Sequence, residues 1–135
     1  MRPDRVLTVY ECVRAATTHE MNFPQIVAQL AAIGVERYHV DYSRLETTFY
    51  FADGESLVTA MPHDGPAAIG EDFLPTAVSQ AIGRSQRNEH TYANFVRQAM
   101  AAGWVVYFVH IAGRHAVYFG RHGQAHVEPF PTARP

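Results

Sequence analysis

The sequence predicts an α+β fold, with helices on one face of a mostly antiparallel sheet of about six strands, and three observations predict it. Apolar residues recur at helical spacing just ahead of runs that alternate at strand spacing. Two-residue turn signals, Asp53-Gly54 and His122-Gly123, separate strand-like runs as hairpins require. The pattern also occurs twice: "FPQIVAQLAAIGVERYHVDY" at 23–42 is echoed 69 positions later by "YANFVRQAMAAGWVVYFVHI" at 92–111.

In the first half, Ile26, Val27, Leu30 and Ile33 lie on one helical face, and Gly34 follows where a helix stops. A helix over 23–33 is expected, then strands near 35–42, 46–52 and 55–60. The second half is expected to hold a helix over 90–102 and strands near 104–111, 115–120 and 124–129. Helices near 4–17 and 71–84 precede the repeated parts, and "PHDGPAAIGED" at 62–72 reads as a linker.

The match runs further. At the same offset Gly54 meets Gly123, Val58 meets Val127 and Pro62 meets Pro131, while "YF" at 50–51 meets "YF" at 118–119 after a one-residue loop change. The expected organisation is therefore one domain, 1–135, made of two α-α-β-β-β units, 1–61 and 73–135.

Composition narrows the function. The chain has 135 residues, 47% hydrophobic and 18% charged, which suits a globular core. Its net charge is −2, without a basic stripe, which argues against nucleic acid as partner. All 11 basic residues are Arg, so lysine Schiff-base chemistry is excluded. One cysteine, Cys12, rules out an internal disulfide and suits a reducing cytoplasm, and no run of apolar residues reaches membrane-span length. A cytoplasmic location is expected.

Strand alternation sorts side chains between two faces. Tyr38, Tyr107, Val40, Val109, Val58 and Val127 recur in both halves and are expected beneath the helices, joined by Phe49, Phe51 and Phe119. The open face is then expected to carry Arg37, His39, Asp41, Thr48, Tyr50 and Thr59. From the second half it would carry Trp104, Val106, Phe108, His110, Tyr118, His126 and Glu128. A Trp, Val and Phe row is too apolar for water and calls for a ligand, another subunit or a covering segment.

"RYHVDY" at 37–42 supplies the chemistry: an arginine to hold an anionic group, an imidazole that titrates near neutrality and a carboxylate to orient it. His39, Asp41, Tyr50 and His110 are the candidate catalytic residues. Arg37, Trp104, Phe108, Tyr118, His126 and Glu128 are the candidates for substrate contact. Neither "HVD" nor "HVE" is a zinc signature, so no metal or other cofactor is expected, and no P-loop, dinucleotide fingerprint or nucleophile elbow is present.

At "FPQIVAQLAAIGVERYHVDY", "YFADGESLV" and "YANFVRQAMAAG" the chain resembles the bacterial YbcV-like domains, sometimes labelled "phage envelope protein". The resemblance spans most of the chain. It implies a small bacterial cytoplasmic domain and transfers no functional residues.

Two functions are expected from these residues. One is a cofactor-independent enzyme doing acid/base chemistry, of isomerisation, dehydration or cyclisation type, on a small organic molecule. The other is a non-catalytic module that uses the same face for dimerisation or for binding a protein or ligand. Homodimerisation suits either.

Overall fold

The computed structural model of the chain describes residues 1–61, 68–77, 79–80 and 92–130. Helix α1 (Pro3–Thr18) starts with proline in its first turn, where the missing N–H costs nothing, and Asp4 faces the positive end of the helix dipole. It ends at His19, which takes a left-handed conformation and donates its N–H to Ala15 O. Helix α2 (Phe23–Ala32) opens with a complete capping box: Asn22 accepts from the Gln25 amide at 2.9 Å, and Gln25 accepts from the Asn22 amide at 2.8 Å.

Strands β1 (Val35–Asp41), β2 (Glu46–Phe51) and β3 (Ser56–Ala60) follow. Residues 75–77 and 79–80 form the described part of helix α3, and the rest of the 71–84 expectation falls in part on residues outside the description. Helix α4 (Tyr92–Ala101) leads into β4 (Val106–His110), β5 (His115–Phe119) and β6 (Ala125–Pro129). Most of the 62–72 linker, together with His63 and His90, also lies outside the described residues.

The six strands form one antiparallel sheet in the order β3-β2-β1-β4-β5-β6. The α+β class and its antiparallel sheet are as expected from the sequence. The two halves meet at β1 and β4, where His39 lies directly opposite Phe108. Val9 and Cys12 of α1, Val27 and Leu30 of α2, and Val96, Ala99 and Met100 of α4 share a core with Val40, Phe49, Phe51, Val109 and Tyr118 of the sheet. All three helices thus pack on one face. No described helix is long and apolar enough to cross a membrane.

Backbone freedom is used where segments approach closely. Gly103 has φ +91, and a Cβ there would lie 2.2 Å from Asp72 O, so only glycine lets 68–74 cross the end of α4. Hydrogen bonds from Gly70 N to Met100 O (2.8 Å) and from Leu74 N to Ala102 O (3.0 Å) hold that crossing.

The face assignments hold in the sheet's centre and fail toward its margins. Tyr38, Tyr107, Val40, Val109, Phe49 and Phe51 point toward the helices, and Arg37, His39, Asp41, Thr48, Tyr50, Val106, Phe108 and His110 point away. In β3 the phase is reversed: Thr59 is buried at 3% exposure, while Val58 is exposed at 50%. In β6, Val127 is likewise exposed, and His126 and Glu128 stand on the helix side opposite Tyr118 and Ala116. Recurrence of a valine in both halves was read as burial, but both valines face outward.

β5 is also reversed. Tyr118 pairs with Tyr107 on the helix side and Phe119 pairs with Val106 on the open side. The one-residue loop change used to align the two "YF" pairs is the cause, because a slip of one residue exchanges the faces of a whole strand. Trp104 is misplaced for another reason. Its amide bonds back to Ala99 O at 3.1 Å, so it precedes the ladder, and alternation counted back from Val106 does not reach it. Its side chain is completely buried. Val35 escapes alternation similarly, turned inward by a register shift between Val35 and Arg37.

Candidate functional site

The face opposite the described helices consists of three rows running across the six strands. The first reads Ser56, Tyr50, Arg37, His110, His115, Pro129; the middle row reads Val58, Thr48, His39, Phe108, Val117, Val127; the third reads Ala60, Glu46, Asp41, Val106, Phe119, Ala125. The β4 to β6 half is therefore apolar except for His110 and His115, whereas the β1 to β3 half is mostly polar.

Rings dominate the centre. His39 stacks on Phe108 with centroids 4.4 Å apart and planes 18° apart, and His110 stacks beside Phe108 at 5.8 Å. His110 and His115 are 5.0 Å apart, and Arg37 lies over the Tyr50 ring at 4.3 Å from its centroid. Arg37 also bonds Glu36, its neighbour in the chain. The His110 imidazole is held below its ordinary value, first by partial burial and then by the positive potential of His115 and Arg37. His115 Nδ1 sits 3.1 Å from Gly113 O.

Asp41 has a different partner from the one its spacing suggests. Its Oδ1 accepts from the amides of Ser43 (2.9 Å) and Arg44 (3.1 Å), closing the β1–β2 turn. The carboxylate thus organises the turn, and His39 takes its ring contact from β4.

Of the ten site candidates, Arg37, His39, Asp41, Tyr50, Phe108 and His110 come together on the open face. Trp104, Tyr118, His126 and Glu128 are on the helix side and do not join them. Trp104 packs at 4.3 Å from Tyr118 and 5.7 Å from Phe95 as part of the core. Burial, with a smaller push from Glu128, raises the Tyr118 hydroxyl far above its usual range. His126 Nε2 and Glu128 Oε2 lie 2.9 Å apart. A metal set combining His39, Asp41, His110, His126 and Glu128 is split by the sheet, and no group of three metal-ligating side chains occurs among the described residues.

His115, at the start of the strand expected over 115–120, is an open-face residue that was not among the site candidates. Its signal was the offset of 69, which pairs it with Glu46 at the start of a strand. Cys12 is a core residue, and burial pushes its thiol up, with a contribution from Glu11.

Fold and surface together define a class: a small α+β protein with helices on one side of a six-stranded antiparallel sheet and a ring-lined, half-apolar face on the other. Residues 11–128 match the family model described as "Protein of unknown function (DUF1398)", and the chain belongs to that family. Comparison with curated proteins gives no match.

Proposed function

We propose that the protein is an association module that pairs with a second copy of itself through the open sheet face. One observation carries the reading: Phe108, Val117, Val127, Val106 and Phe119 form a contiguous apolar area on the side opposite the described helices. Such an area is stabilised by removal from water, at roughly 25 cal/mol per Å². The three rows supply 18 positions, close to the 20–30 residues per side of a standard interface. Two such sheets would stack about 10 Å apart with interleaved side chains, as in a sandwich.

Mass in solution tests this directly. Light scattering after gel filtration should give twice the chain mass for the unmodified protein and the single mass for Phe108→Arg, with unchanged circular dichroism. A monomeric unmodified protein at high concentration removes the reading.

A second reading, acid/base chemistry on a small anionic molecule, is favoured by the adjoining Tyr50, Arg37, His39, His110 and His115. In it His39 acts as base, Arg37 holds the anion and Tyr50 or His110 donates. Its test is titration with acetate at constant pH, followed through the imidazole NMR signals. Unmoved His39 and His110 signals would remove it.

Three finer readings belong with the proposal. The halves are two copies of one unit, a view supported by positive φ at pairs 69 apart: Gly34 and Gly103, Leu45 and Arg114, Gly54 and Gly123. The resemblance to the bacterial YbcV-like domains is kept as part of this reading. A reducing cytoplasm is kept on the strength of the single, buried Cys12.

A further inference from the structure

We infer that the two copies pair about a twofold axis that lies in the interface, at right angles to the strands and above the His39–Phe108 row. The inference rests on the self-association just proposed and specifies its register, so that Arg37 of each copy meets the Asp41 and Glu46 end of the other.

The argument comes from where charge lies on the open face. The middle row, Val58, Thr48, His39, Phe108, Val117 and Val127, contains no permanent charge. It can therefore lie against its own copy without like-charge repulsion. The first row carries Arg37 with His110 and His115, and the third carries Asp41 and Glu46. The face thus carries its arginine at one end of the strands and its two carboxylates at the other.

Rotation about the stated axis reverses strand direction and keeps each strand above its own counterpart. The first row of one copy then lies over the third row of the other, which places Arg37 against Asp41 and Glu46 twice in each dimer. The apolar β4 to β6 half meets the apolar half, so Val117, Val127 and Phe119 are covered by Val117, Val127 and the His115 ring of the other copy. The other in-plane axis, parallel to the strands, would lay Glu46 over Phe119 and Arg37 over His110. It buries charge on apolar surface and pairs like with like, and both cost free energy.

The charges flanking these groups are compatible with that register. Glu36 bonds Arg37 and stands at the bulge, and Arg44 bonds Glu46 at 2.7 Å in the turn beyond the acidic end. Arg114 lies over the Phe130 ring, 5.4 Å from its centroid. Asp41 is already aimed by the two turn amides, so its orientation costs little further entropy on pairing.

Charge reversal tests the register, using sedimentation equilibrium of the full chain. Arg37→Glu alone and Glu46→Arg alone should each weaken the dimer on the order of tenfold, because every exposed contact, itself worth little, occurs twice. The double variant should be tighter than either single variant, since reversing Arg37 and Glu46 together restores that attraction while Asp41 stays unchanged. A measurement without variants accompanies it: dimerisation of the unmodified protein should weaken as salt rises. If the double variant is no tighter than the singles, or if salt has no effect while Phe108→Arg still gives monomers, the register is wrong and self-association stands. If the unmodified protein is monomeric, both fall.

Discussion

The ring of His39 lies flat against the ring of Phe108 across the join between β1 and β4, with centroids 4.4 Å apart. The contact joins the middle strands of the two halves on the face that no described helix covers. An imidazole held this way serves as a flat, weakly polar platform. His39→Phe should therefore keep the fold and tighten self-association, whereas His39→Asp should abolish it by placing like carboxylates together on the axis. Sedimentation of both variants beside the unmodified protein checks the pair. Equal masses for all three would show that the middle row is not where the copies meet.

Asp41 is expected to act through the turn. Replacement by Ala removes the acceptor for the Ser43 and Arg44 amides and should cost about 1 kcal/mol, the usual size of a lost local cap. Asp41→Asn keeps an acceptor oxygen and should cost less. Urea denaturation midpoints distinguish them. Equal losses for Ala and Asn would mean that the negative charge, rather than the turn bonds, stabilises this corner.

Trp104 is expected to behave as a core residue. Its side chain is wholly buried among Tyr118, Phe95, Tyr107 and Tyr42, and Trp104→Ala should cost about 3–5 kcal/mol through lost burial and the cavity left behind. Thermal unfolding followed by near-ultraviolet circular dichroism would register the loss. A variant that stayed as stable but became monomeric would instead place the indole at an interface.

His110 should make the fold sensitive to mild acid. Its imidazole is held below the ordinary value of 6.5 in the folded protein, by burial first and by His115 and Arg37 next, so the unfolded chain binds the proton more readily. Stability is then fully present above pH 6.5 and is lost as pH falls through and below that value. Urea midpoints at neutral and at mildly acidic pH should show a smaller decrease for His110→Asn than for the unmodified protein. An identical decrease would assign the sensitivity to other histidines.

Elements and strand order belong to different levels of information. Helix α2 was legible because its apolar positions, Ile26, Val27, Leu30 and Ile33, and its terminal Gly34 agree within a dozen residues. The hairpins were legible because Asp53-Gly54 and His122-Gly123 satisfy a local backbone demand. Of the site, the "RYHVDY" strand was read correctly, since Tyr38 and Val40 do face the helices and leave Arg37, His39 and Asp41 on the other side.

The amino-acid sequence by itself determined the helices and strands, the α+β class and the two-faced character of the central strands, because all of these follow from side-chain periodicity and turn chemistry. Only the tertiary structure decided that Trp104, Tyr118, His126 and Glu128 stand on the helix side, and that His115 joins His110 in the open. Those placements depend on where each ladder begins and on single-residue differences in register. They are set by pairing between distant strands, and a sequence pattern of period two reads equally well in either phase.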